Sequence, residues 1–138
     1  MFRKFVVICC VMVLLTACPE SMPEKDVSIR IVNNSEEDIV WLLGLGWLEE
    51  WYEITTNPWG EKYDNKLILR GEIYIDRFNS YIARQNLKRG WKKYYLFNLD
   101  SVKTIPWKRI CDERIILKEV RFDSWEDFER CNFEITYP

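Results

Sequence analysis

The sequence predicts an α+β domain, a mixed and largely antiparallel sheet with short helices on one face. Three observations carry that expectation. Apolar residues make up 48% of the 138 positions and charged residues 30%, enough for a packed core in a chain that has room for one domain. Period-two alternation recurs in about six segments, and helical spacing in three or four short ones. The strand-like segments come first as a pair and then alternate with helical ones, as when helices collect on a sheet. A β-sandwich with helical turns in its crossings is the alternative.

The domain is read as residues 27–138. Val27, Ile29 and Ile31 alternate with Ser28 and Arg30, the period of a half-buried strand. Asn33-Asn34-Ser35-Glu36 is turn chemistry, and Ile39 to Leu43 is a second, more apolar strand, so the two read as a hairpin. Trp47, Leu48, Trp51 and Tyr52 share a helical face, and Asn57-Pro58-Trp59-Gly60 reads as a turn. Leu67 to Ile75 is strand-like, with a bend or bulge at Gly71. Phe78, Tyr81, Ile82 and Gln85 follow helical spacing, and Gly90 stops that segment.

Tyr95, Phe97 and Leu99 mark a strand face, and Asp100-Ser101 opens a turn. Thr104-Ile105-Pro106 starts a short helix that turns Trp107, Ile110 and Cys111 to one side. Arg114 to Phe122 is strand-like, with Ile116, Val120 and Phe122 on one face. Ser124 and Asp127 form a capping box, with Trp125 and Phe128 pointing inward. Phe133, Ile135 and Tyr137 alternate in a last strand that pairs within the sheet.

Residues 1–17 have the parts of a signal peptide: Arg3 and Lys4, then apolar residues from Phe5 to Leu15. A membrane-crossing helix needs about 20 apolar residues, more than this run holds. The run ends in Leu15-Thr16-Ala17-Cys18, which looks like a bacterial lipobox, and its cysteine becomes the lipidated first residue of the mature chain. A diacylglycerol thioether and an amide-linked acyl chain, palmitate among the usual ones, make such an anchor stable. The other reading is an ordinary secreted chain cut after Ala17. Residues 18–26 are then the lipidated cysteine and a tether, whose last eight residues reach at most about 29 Å. Pro19 is not the aspartate of an inner-membrane retention signal, so the expectation is an outer-membrane, lipid-anchored protein of the cell envelope.

Composition narrows the chemistry. There is no histidine, so triads and metal sites that need one are excluded, and five glycines make a phosphate-cradling loop unpromising. Losing residues 1–17 removes Arg3 and Lys4 and leaves 18 basic against 22 acidic side chains, −4 overall. That balance gives no support for nucleic-acid binding. No cofactor is expected. Cys111 and Cys131 form either a disulfide, which the envelope permits, or two buried thiols. Carboxylates at Glu36-Glu37-Asp38 and Glu49-Glu50 could serve a small envelope enzyme, because glycoside hydrolysis needs only a facing pair. Twenty-two acids produce such pairs by chance, so a non-enzyme is the expectation.

Aromatic residues are the more telling excess, with seven Trp, seven Tyr and five Phe beyond residue 17. Trp41, Trp107 and Trp125 lie in apolar patterns and are read as core. Trp59 and Trp91 sit in polar surroundings, and Lys88-Arg89-Gly90-Trp91-Lys92-Lys93 adds a basic cluster. Trp59, Trp91 and Lys92 are therefore the candidate ligand contacts, for an acidic glycan, an anionic lipid headgroup or a partner protein. The cluster reads equally as a solvated loop. The functional expectation is an anchored, non-catalytic binding or accessory module for an envelope protein or glycan. An enzyme with paired carboxylates and a purely structural envelope protein are the alternatives.

Two segments resemble small uncharacterised lipoproteins of Bacteroides-type gut bacteria. One is Val27-Ser-Ile-Arg-Ile-Val-Asn-Asn-Ser-Glu-Glu-Asp-Ile39. The other runs through Tyr95-Leu-Phe-Asn-Leu-Asp100, Ile105-Pro-Trp-Lys-Arg-Ile110, Ile115-Ile-Leu-Lys118 and Trp125-Glu-Asp-Phe128 to Asn132-Phe-Glu-Ile-Thr-Tyr-Pro138. The resemblance implies an envelope address and a globular domain, and no activity. It also implies O-glycosylation at an Asp-Ser/Thr-aliphatic motif, which Asp100-Ser101-Val102 matches, making Ser101 a candidate acceptor in a turn.

Overall fold

Two sheets, not one, organise the described residues. The computed structural model describes residues 25–45, 57 and 66–138, and the helix expected over 47–52, Trp59 and the signal and lipobox residues lie outside them. The first sheet has the order β4–β1–β7, from Ile73–Asn79, Asp26–Asn33 and Glu134–Tyr137. β1 is antiparallel to β4 and parallel to β7. The second sheet has the order β3–β2–β5–β6, from Leu67–Ile68, Ile39–Leu45, Lys92–Asn98 and Lys118–Phe122, all antiparallel. Four short helices complete the described residues: α1 at Ser80–Arg89, α2 at Leu99–Thr104, α3 at Trp107–Asp112 and α4 at Trp125–Arg130.

The α+β class holds, but the single sheet becomes two, and the expected hairpin of β1 with β2 does not form. The reason sits at Asn33, which is fully buried. Its side-chain amide donates to the carbonyls of Glu37 at 2.7 Å and Ile68 at 3.2 Å, while its oxygen accepts from the Ser35 backbone and hydroxyl. Those bonds turn the chain out of the plane of β1 and hand it to the other sheet. A second transfer lies beside the first. After β3, a turn at 69–72 carries the chain back to β4, with Gly71 at φ 75°, a conformation that favours glycine. Gly71 N–H donates to the Asn33 carbonyl and Asn33 N–H to that of Glu72, so both links share one residue.

Alternation then sorts the side chains. Ile29, Ile31 and Ile135 of the first sheet meet Ile39, Trp41, Tyr94, Leu96 and Phe122 of the second, with Phe128 of α4 wedged among them. The opposite face of the second sheet presents Val40, Tyr95 and Phe97 to Val102, Trp107, Ile110 and Cys111 of α2 and α3. The layers are therefore sheet, sheet and helices, and the second sheet is buried on both faces, which is why β2 and β5 read as nearly continuous apolar runs.

Several local expectations hold and three shift. Gly90 closes α1 and the Ser124–Asp127 capping box is present, both as expected. The start of α1 is capped by Asn79, which the sequence reading does not single out and which accepts from Tyr81 and Ile82 N–H. Pro106 stands at the N-cap of α3, with Trp107, Ile110 and Cys111 buried as expected. Asp100-Ser101, expected in a turn, is instead in the first turn of α2, because the Asn98 side chain accepts the Ser101 N–H at 2.9 Å and starts a helix there. The last strand before α4 begins only at Lys118, and Ile116 packs with the helix-side core, away from Val120 and Phe122. Phe78 belongs to β4 rather than to the helix that follows.

Candidate functional site

The expected ligand contacts are distributed differently from the sequence reading. Trp59 lies outside the described residues. Lys92 is not exposed: it is the first residue of β5 and 5% accessible. Alternation along β5 sends Lys92, Tyr94 and Leu96 between the sheets, while Tyr95 and Phe97 face the helices. The basic run made Lys92 look like loop, but the strand starts one residue after Trp91 and draws it in. Trp91 is half-buried, with the Lys93 ammonium 4.7 Å and the Arg121 guanidinium 5.6 Å from its ring. Lys93 is in turn paired with Glu119 at 2.6 Å. Trp91 and Lys92 are adjacent in sequence and lie in different environments.

Around Lys92 the two sheets share a polar cluster that sequence reasoning missed. Its ammonium lies 3.9 Å from Asp76 Oδ2 of β4 and 3.9 Å from the centroid of the Phe78 ring. The Tyr94 hydroxyl donates to the same Asp76 oxygen at 2.7 Å. Burial pushes the Lys92 amine down to about 8, more than the facing Asp76 carboxylate raises it. Burial, reinforced by Asp76, pushes the Tyr94 phenol well above its ordinary value. Tyr74 is raised for the same two reasons, and Lys66, 5.1 Å from the Trp41 ring, is lowered by burial against the pull of Asp76. An amine, a carboxylate and a phenol within bonding reach are parts of proton-transfer chemistry. As packed, they tie β4 to β5, with the amine almost wholly buried. The sequence signal was the period: Tyr74, Asp76 and Phe78 alternate with Ile73, Ile75 and Arg77, so Asp76 belongs to the buried set.

The Glu36-Glu37-Asp38 cluster lies at the end of the domain where the chain changes sheets. It lines an open cleft of about 320 Å³ with Arg70, Asn98 and Asp100. Two of its carboxylates have structural partners there. Asp38 Oδ1 accepts the Arg70 N–H at 3.0 Å, and Glu37 Oε2 accepts from the Asn98 amide at 3.0 Å. Among the described residues no group of three or more acidic or cysteine side chains could hold a metal ion. Glu49 and Glu50 lie outside the described residues.

The remaining candidates resolve simply. Ser101 is half-buried, on the helix described above. Cys111 and Cys131 are free thiols belonging to different cores, Cys111 with the helices and Cys131 beside Phe128. Burial raises the Cys111 thiol, which opposes thiolate chemistry. The Cys131 thiol contacts the Phe128 carbonyl oxygen at 3.2 Å. Cys18 lies outside the described residues, and no helix among those described is long and apolar enough to cross a membrane.

Among the described residues, the exposed surface carries two apolar features. On the outer face of the first sheet, Ile73 and Ile75 are each 48% exposed on the edge strand β4, with Val32 paired to Ile73 and Leu69 exposed in the adjoining turn. On α1, Tyr81 and Ile82 are 54% and 57% exposed. Comparison with family models, with curated proteins and with solved structures gives no match for this chain.

Proposed function

We propose that the chain is an outer-membrane lipoprotein anchored through Cys18, and that its domain is a non-catalytic binding module for a partner protein of the envelope. The observation that carries the reading is the aliphatic strip on β4. Isolated exposed apolar residues are ordinary, but Ile73 and Ile75 are consecutive outward positions on one edge strand. Val32, the cross-strand partner of Ile73, widens the strip, the kind of surface that marks protein interaction. Its aliphatic character favours a protein partner over a glycan, since flat sugar faces are met by aromatic rings. The buried Lys92 cluster supports the same reading, because its reactive groups are spent on holding the sheets together.

A photo-crosslinking residue at position 75 tests this in cells making the full-length protein, with position 109 on α3 as the control. A discrete adduct should form at 75 and not at 109, and Ile73→Lys should reduce it severalfold without loss of protein. Equal crosslinking at both positions would remove the patch as a binding surface.

A further inference from the structure

We infer that α1 is a membrane-docking element, seating the domain on an anionic phospholipid surface beside its own lipid anchor. The inference rests on the lipidated Cys18 of the proposed function and adds an orientation to it. The first support is where the tether ends. Only six residues separate Cys18 from Lys25, and the seven steps between them reach at most about 25 Å. The Lys25 carbonyl accepts the N–H of Ser80, the first residue of α1, at 3.1 Å, and Asp26 pairs with Asn79. The anchor therefore enters the domain at the start of this helix.

The second support is the position of α1 across that end. It leaves the first sheet after Asn79 and delivers the chain to Lys92, whose strand partners are Leu45 and Phe122, the last residues of β2 and β6. The helix thus bridges the tether-side ends of both sheets. Its axis extends about 15 Å. The cleft lined by Glu36, Glu37 and Asp38, and the turn leading to Ile73, lie at the other end of β1 and β4, about 20 Å away along the strands.

The third support is the chemistry of the outward face. At about 100° per residue, Tyr81, Ile82, Lys88 and Arg89 share one arc, opposite Ala83 and Leu87, which are buried. Tyr81 and Ile82 are the most exposed large apolar residues among those described. The helix carries Arg84, Lys88 and Arg89 and no acid. Lys88 and Arg89 form no ion pair with the described residues; around α4, whose Trp125 ring lies under Arg84, Asp123 pairs with Arg121, Asp127 pairs with Arg130 and Glu129 accepts from the Trp125 indole. An aromatic and an aliphatic side chain with cations on long stems match the bilayer interface, where the rings sit at headgroup depth and the cations meet phosphate. A single interfacial turn is too weak to bind alone. The anchor keeps it at high local concentration, so modest contacts suffice.

The test uses the full-length protein purified from the envelope and reconstituted in vesicles of phosphatidylethanolamine and phosphatidylglycerol. An environment-sensitive fluorophore is placed through Ile82→Cys, or through Arg109→Cys on α3 as the control, both in a Cys131→Ala background; Cys111 is buried and the Cys18 thiol is consumed by the lipid. Intact mass reports the anchor. Docking predicts a blue-shifted probe at 82, quenched severalfold more than at 109 by spin-labelled lipids, with the difference shrinking when Lys88→Glu and Arg89→Glu are added. A lipidated chain whose two probes are quenched equally overturns the docking and leaves the anchor standing. A mass without the diacylglycerol increment overturns the anchor, and the docking with it.

Discussion

The two faces of the second sheet are built from alternate residues of the same strands, yet they solve different problems. Toward the helices, Val40, Tyr95 and Phe97 meet Val102, Trp107, Ile110 and Cys111, a largely apolar contact in which Phe97 and Trp107 lie 5.5 Å apart. Toward the first sheet, Trp41, Tyr94 and Phe122 meet not only Ile29 and Ile31 but also Asp76, with Lys92 buried beside it. Rings fill that space: Trp41 lies 5.2 Å from Tyr74, and Phe122 stacks on Phe128 at 4.0 Å. The helix-covered face shows what apolar packing alone achieves. The sheet-to-sheet face adds a charged tie whose geometry fixes how β4 sits over β5, at the expense of desolvating an amine.

The sharpest way to break this comparison is to remove the ring that plugs the inter-sheet face. Phe128 is fully buried, stacks on Phe122 and touches Phe78, Trp125 and Phe133. Phe128→Ala should cost about 4 kcal/mol by urea unfolding, the middle of the range for a buried ring. Ile110→Ala, equally buried on the helix side, should cost about 3 kcal/mol, since fewer buried atoms are removed. A Phe128→Ala penalty below that of Ile110→Ala would show that α4 is not the wedge that joins the sheets.

The charged tie makes the inter-sheet face respond to pH where the other face does not. The Lys92 amine falls from 10.5 when exposed to about 8 in the fold. Below pH 8 both states hold the proton and the folded state carries the full burial penalty. Between about pH 8 and 10 the unfolded chain still binds the proton and the folded one does not, so stability rises, by up to about 3 kcal/mol. Above about pH 10 the sign reverses, because unfolded tyrosines ionise while the buried Tyr94 stays neutral. Urea unfolding across that range should show the rise, and Lys92→Met should flatten it. A variant that kept the rise would place the titrating group elsewhere.

How much of this was visible in the sequence follows the range of the interaction. Ser124 with Asp127, Pro106 before Trp107 and Gly90 after Arg89 are contacts within a few residues, and each marks a boundary that the fold keeps. Alternation assigned the faces of β1 and β5, because burial depends on period and not on partner. Partners were not legible. The turn at Asn33 read as a hairpin because nothing local shows that its amide bonds to Ile68, thirty-five residues away. Lys92 read as surface for the same reason, since Asp76 and Phe78 become its neighbours only when the sheets stack. The basic α1 face was legible as a cluster from Lys88 onward, but its position beside the tether needed the pairing of Asp26 with Asn79.

A smaller change probes the helix-covered face at its tightest point. Gly44 of β2 is buried, and a Cβ there would stand 2.8 Å from Tyr95 Cε2 and 3.3 Å from Trp91 Cζ3. The Tyr95 ring is fully buried against Phe97, so it has little room to retreat. Trp91 is only half-buried and can give way. Gly44→Ala should therefore destabilise by about 2 kcal/mol through overpacking. The strand context works in the opposite direction, because alanine restricts the unfolded chain more than glycine does. If crowding by Tyr95 dominates, Gly44→Ala with Tyr95→Phe should recover less than half of the loss, since the ring edge at Cε2 remains. Trp91→Leu should not recover it at all. Recovery by Trp91→Leu instead would place the constraint on the half-buried indole, and the buried face of β5 would then have slack that its packing does not show.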